Sequence, residues 1–166
     1  LEALDYIAIP FHDLPMDVMA DLPEVQEFHK KLQELSGKKI VNFAGFSNTE
    51  LKLTYGAPNI QLLSEYDGNF EELITLLQEW ASFLLQNWGE GAQLCPEEER
   101  KQAAKKVLAF AVSIGSDITA SYEKLVKLYL EYGEQDKLPA LKEKAQKIRS
   151  LSKPRILALL DEAVKG

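Results

Sequence analysis

Apolar and polar residues follow two different patterns along the chain, and the change falls near residue 69. Before it, short β-prone runs lie between turn residues. Residues 6–9 (Tyr-Ile-Ala-Ile) and residues 39–43 (Lys-Ile-Val-Asn-Phe) each predict a strand. Residues 50–55 alternate with period two, and residues 60–66 follow a turn rich in glycine and proline. This pair therefore predicts a β-hairpin.

The stretch from residue 49 to residue 66 also admits a second interpretation, as helix. Asn48 precedes Thr49 and Glu50, and this order is typical of a helix N-terminus capped by a polar side chain. The sequence therefore leaves a hairpin and a short helix as alternatives for this stretch.

One helix is predicted within the first part of the chain. Asp21 and Glu24 have the spacing of a capping box, with a proline early in the helix. Apolar residues then recur every three or four positions, as on one face of an amphipathic helix: Val25, Phe28, Leu32 and Leu35. Gly37 ends this pattern, since glycine readily adopts the left-handed conformation of a helix stop.

From residue 69 onward the apolar spacing is helical throughout. Breaks at glycine or proline near residues 89–96, 115–117, 133 and 152–154 divide this part into five predicted helices. The first of them carries Trp80 and is apolar over most of its circumference, which predicts that it is the buried centre of the domain. Short connections predict that sequential helices pack as antiparallel neighbours.

These elements together predict an α+β fold that is predominantly α. A small N-terminal α/β portion, residues 1–68, would hold three or four short strands and one helix. It would pack on a C-terminal bundle of about five antiparallel helices, residues 69–166. No linker-like composition separates the two portions, so we expect a single domain with one core.

Charge is distributed unevenly over the 166 residues, whose net charge is -7. Residues 1–95 hold 5 Lys and Arg against 15 Asp and Glu, which gives -10, whereas residues 96–166 hold 14 against 11, which gives +3. The basic side chains concentrate between residues 137 and 155. We predict that six of them form a partner-binding surface: Lys142, Lys144, Lys147, Arg149, Lys153 and Arg155.

Candidate chemistry is sparse. His12, Asp13 and His29 are the candidate acid–base or ligand-binding residues, and Cys95 is a candidate nucleophile before a helix N-terminus. No histidine or carboxylate stands three or four residues before His29, so the spacing predicts no metal site. Phosphate-binding loops and the short motifs of hydrolases and zinc enzymes are absent from the sequence, and no cofactor is expected.

The sequence therefore favours a protein–protein interaction module, with an adaptor, regulatory or chaperone-like role, over an enzyme. The partner would be another protein, bound through its acidic surface. An enzyme or small-ligand or metal-binding protein, with a pocket between sheet and helices near His12, Asp13 and His29, is the alternative. Nucleic-acid binding through residues 137–155 ranks third, because the chain is acidic and its basic region has no interleaved aromatics.

Location and assembly are less constrained. A single cysteine, the absence of a signal-peptide pattern and the absence of an apolar run long enough to cross a membrane lead us to expect a cytoplasmic protein without membrane association. The chain begins with Leu1, so the sequence leaves open whether it is part of a longer protein. Its oligomeric state is also open.

Overall fold

A computed structural model describes residues 1, 3–86, 88 and 95–166. Within these residues the fold is all-helical, with seven α-helices and no strand. In chain order the helices are α1 (Pro23–Ser36), α2 (Asn48–Tyr55), α3 (Ile60–Leu85), α4 (Glu97–Ser113), α5 (Thr119–Glu131), α6 (Leu138–Gln146) and α7 (Lys153–Lys165). The helical bundle predicted for the second half of the chain is confirmed, whereas the predicted α+β class is wrong.

The two predicted N-terminal strands are irregular segments. They meet through one backbone hydrogen bond, from Ile7 N to Ile40 O at 2.9 Å, rather than through a ladder. Some of their apolar side chains are nevertheless buried: Ile9, Ile40 and Val41 pack against the helices, whereas Tyr6 is 37% exposed. The short apolar runs thus reflect burial, which periodicity over four or five residues cannot distinguish from strand pairing.

The predicted hairpin over residues 50–66 is also wrong, and both of its arms are helical. Ser47 caps α2 with a complete capping box: its Oγ accepts from Glu50 N at 3.1 Å, and Glu50 Oε2 accepts from Ser47 N at 2.8 Å. The alternation of period two does not mark one buried face, because residues two apart lie on nearly opposite sides of a helix. Leu51 is buried, whereas Leu53 is 82% exposed. The helix left as an alternative for this stretch is the one formed.

Helix α3 begins at Ile60, after a 3-10 turn at Ala57–Asn59, rather than at residue 69. Leu63 and Tyr66 continue the buried face that Phe70 and Leu73 extend, so the supposed strand is the first two turns of a 26-residue helix. Gly68 is exposed and lies inside the helix, and a Cβ built there would meet no heavy atom within 4 Å.

The core is built around α3, as the sequence predicted. Trp80, Leu77 and Ile74 are fully buried in a cluster that includes side chains from α1, α4, α5, α6 and α7, and from the N-terminal segment. Helices α1 and α4 pack directly on α3, α5 packs on α4, and α6 and α7 form a hairpin. No helix among the described residues is both long and apolar enough to cross a membrane.

A buried arginine joins the end of α3 to the start of α4. Arg100 is 5% exposed, and its guanidinium donates to the carbonyl oxygens of Leu84 at 3.2 Å, Gln86 at 3.4 Å and Cys95 at 3.3 Å. The last carbonyls of a helix have no intrahelical donor, and they carry partial negative charge. Arg100 therefore caps α3 from the neighbouring helix. The predicted helix stop at Gly89 and Gly91 lies outside the described residues.

Candidate functional site

The two histidines occupy different environments. His12 and Asp13 lie in the irregular N-terminal segment, 3.4 Å apart, with side chains 84% and 72% exposed. His29 lies on α1 and packs edge-on against Trp80 of α3, with ring centroids 5.3 Å apart. Across the described part of the chain, no group of three or more His, Cys, Asp or Glu side chains is arranged to hold a metal ion. A catalytic role for these residues stays a prediction.

His29 belongs to an interface between helices. Burial lowers the pKa of its imidazole, because the charged form is poorly solvated there. Its Nε2 and the Trp80 Nε1 are both buried, and neither has a hydrogen-bond partner among the described residues. The imidazole is therefore held in its neutral form, as an aromatic side chain that packs α1 on α3.

Cys95 lies just before α4 and is 5% exposed. Burial raises the pKa of its thiol, and the nearby Glu99 carboxylate raises it further, whereas Arg100 opposes both effects. A thiol in this environment stays protonated near neutral pH and is a weak nucleophile. The local electrostatics thus do not activate Cys95, and the catalytic role predicted from its position stays a prediction.

Three of the six predicted partner-binding residues have partners within the fold. Lys142 on α6 pairs with Asp161 on α7, with Nζ and Oδ1 2.7 Å apart. Lys144 donates to the Ser113 carbonyl at 3.2 Å and so neutralises the C-terminal end of α4. Arg155 lies 3.8 Å from Glu123 of α5. The first contact joins α6 to α7, and the other two hold this hairpin on α4 and α5.

The other three basic residues lie within four residues of an exposed leucine in the sequence. Lys147, Arg149 and Lys153 have no carboxylate partner within 4 Å among the residues that the structure describes. Leu151, in the turn between α6 and α7, is 100% exposed. We call these four residues the α6–α7 surface. An isolated exposed leucine is ordinary on a protein, but here three cations lie within four residues of it in the sequence of an acidic protein.

A groove between α4 and α6 adjoins this surface. Its volume is about 310 Å³, and its floor is formed by small or aliphatic side chains, including Ala109, Val112 and Leu141. Lys144, Lys147 and Glu143 also line the groove, and the two lysines line a smaller cavity of about 150 Å³ beside Asn42. Apolar side chains and lysines therefore line the same groove, and Lys147 belongs to both the groove and the α6–α7 surface.

An acidic group that sequence analysis missed lies where α3 passes the α4–α5 connection. Burial raises the pKa values of Asp67 and Glu71, and the negative charge of Asp117 raises both further. Asp117 also acts on Tyr122, a fully buried side chain whose pKa burial raises to about 12. The spacing of four between Asp67 and Glu71 signals a shared helix face, but only once residues 60–68 are recognised as helical.

Comparison with known proteins adds no family to this description. No protein-family model matches the chain, and no match was found among curated proteins or solved structures.

Proposed function

We propose that this chain is a protein–protein interaction module, with an adaptor, regulatory or chaperone-like role. Its α6–α7 surface would bind an acidic segment of a partner protein. The observation that supports this most is the fully exposed Leu151 among Lys147, Arg149 and Lys153, whose charges have no carboxylate partner among the described residues. An apolar contact that excludes water strengthens the charge pairs around it.

The adjoining groove indicates what kind of partner segment would fit. An amphipathic segment with acidic residues on one side would place apolar side chains over Ala109, Val112 and Leu141 and carboxylates near Lys144 and Lys147. Glu143 also lines the groove and would disfavour carboxylates at its own position. The partner segment is therefore expected to be acidic on the α6–α7 side and apolar over the groove floor.

The chemistry of the surface favours a protein over nucleic acid as the partner. Bases stack on aromatic side chains, and neither the α6–α7 surface nor the groove contains one. The net charge of -7 also opposes a polyanion at long range, whereas a short acidic segment responds mainly to the local cations.

Affinity capture from a native lysate with charge-reversal variants tests the proposal. Lys147, Arg149 and Lys153 are changed to Glu together, and the matched control changes Lys30, Lys38 and Lys52, which are exposed and lie elsewhere. We expect wild type and control to retain the same protein partner in low salt and to release it in high salt, whereas the α6–α7 variant does not capture it. All three should give the same circular-dichroism spectrum.

Two outcomes would contradict the proposal. Equal capture by the α6–α7 variant would show that these side chains are an ordinary solvated surface. Capture that disappears after nuclease treatment would instead establish the third alternative, nucleic-acid binding.

A further inference from the structure

The turn between α6 and α7 contains two serines in a basic context. Residues 149–155 read Arg-Ser-Leu-Ser-Lys-Pro-Arg. Ser150 is exposed, and its Oγ lies 2.6 Å from the Oγ of Ser152. Ser152 is half-buried and donates its hydroxyl to the Asp117 carbonyl at 2.7 Å. Since one hydroxyl donates once, Ser150 must be the donor in the bond between the two serines.

We propose that Ser152 is a phosphorylation site for a serine kinase that selects basic residues. Arg149 stands three residues before it and Lys153 follows directly, so cations flank the acceptor on both sides. Such kinases recognise their substrates by charge pattern in an extended segment. Leu151 and Ser150 are exposed, and the Ser152 side chain makes two hydrogen bonds. Presenting Ser152 in an extended segment breaks these bonds. It also breaks the backbone bonds from Lys153 N to Ser150 O at 3.2 Å and from Ile156 N to Ser152 O at 3.1 Å, so the first turn of α7 must open.

The chemistry is phosphoryl transfer from ATP. The Ser152 Oγ attacks the γ-phosphorus, the bond between that phosphorus and the β–γ bridging oxygen breaks, and ADP leaves. The hydroxyl proton passes to a carboxylate of the kinase and then to solvent. The product is a phosphate ester of Ser152 with a charge of about -2 at neutral pH.

Phosphorylation would change what residue 152 can do in the fold. An ester oxygen carries no proton, so the modified side chain cannot donate to the Asp117 carbonyl. The new phosphate would also face an acidic neighbourhood, since Asp117 acts on Asp67 and Glu71 and Glu123 pairs with Arg155. Arg149, Lys153 and the N-terminus of α7 would stabilise the phosphate on the other side. The turn would thus be released from the α4–α5 connection.

This inference does not rest on the proposed binding function, because modification and release are measured without any partner. The full chain is incubated with magnesium-ATP and the catalytic subunit of cyclic-AMP-dependent protein kinase, as a probe that selects basic residues. Phosphate is located by mass spectrometry in wild type and in the variants Ser152→Ala, Ser150→Ala and Ser152→Thr. Amide hydrogen exchange then compares modified and unmodified wild type.

We expect phosphate at residue 152 in wild type, in Ser150→Ala and in Ser152→Thr, and none at that position in Ser152→Ala. Exchange in residues 117–119 should become roughly five-fold faster, as the loss of a typical hydrogen bond implies. The first turn of α7 should not exchange faster, because the phosphate is favourable at the helix N-terminus. No transfer to residue 152, or transfer to Ser150 alone, would overturn the assignment. Modification without faster exchange would overturn the proposed release.

Discussion

At the end of α4, the backbone of Gly115 packs closely against the Asn42 side chain. Its φ is +98°, and a Cβ built there would lie 2.3 Å from Asn42 Nδ2. That amide donates to the Ile114 carbonyl at 3.1 Å, and Asn42 Oδ1 accepts from Ala44 N at 2.9 Å. A side chain at position 115 would therefore combine backbone strain with the loss of a contact that joins residues 42–44 to α4.

We predict that Gly115→Ala lowers the free energy of unfolding by about 2–4 kcal/mol. Gly133→Ala is the matched control, because Gly133 also has a positive φ, +67°, but no heavy atom within 4 Å of its Cβ position. It should lose only about 1 kcal/mol. Denaturant unfolding measures both values. Equal losses would show that the Asn42 contact does not matter.

His29 makes the stability of the protein depend on pH. Burial lowers its pKa in the folded state below the ordinary value of 6.5, so the unfolded chain binds more protons between the two values. The free energy of unfolding is therefore unaffected by His29 above about pH 6.5 and falls as pH drops from there toward the lowered pKa.

We predict that His29→Phe, which keeps an aromatic ring against Trp80, removes this part of the pH dependence. The difference in unfolding free energy between wild type and variant should change steadily from pH 7 to pH 5, with wild type losing more. Thermal or denaturant unfolding at several pH values measures it. A difference that is constant with pH would mean that His29 titrates alike in both states.

At the scale of elements, Arg100 links α3 and α4 through three carbonyl acceptors. We predict that Arg100→Met, which keeps the apolar stem but removes the donors, lowers the free energy of unfolding by about 2–4 kcal/mol, since the charged hydrogen bonds are lost. Lys106→Met on the exposed face of α4 should stay within about 0.5 kcal/mol of wild type. A similar small loss for Arg100→Met would contradict its role as a cap.

The helix α2 illustrates what the sequence could and could not predict. The sequence indicated a possible cap at Asn48, one residue after the actual cap Ser47. Residues 50–55 also fit a strand, and eight residues are too few for periodicity to decide. The tertiary structure decides, because Leu51 is buried with Phe43 and Leu63 in a second core cluster, smaller than the one around Trp80. Helices α4 and α5, and α3 from residue 69 onward, were predictable because their apolar spacing persists over three or more turns. The first nine residues of α3 were not predicted as helix.

At the scale of the whole molecule, the charge difference between the two halves is not used to join them. The ion pairs of the described residues lie within residues 12–13 or within residues 97–161. The basic region was evident from the sequence, but the sequence could not show which of its side chains have partners within the fold. Lys142, Lys144 and Arg155 are engaged by groups 19 to 32 residues away, and only the fold brings these together.

We propose that Leu151 and the neighbouring cations Lys147, Arg149 and Lys153 form one binding surface. The most direct test compares the capture of a partner protein by Leu151→Asp and Leu53→Asp, because both leucines are highly exposed and only the first lies on the α6–α7 surface. We predict that Leu151→Asp weakens capture on the order of ten-fold, while Leu53→Asp binds as wild type does. Unchanged capture by Leu151→Asp, or equal loss in both variants, would contradict the account.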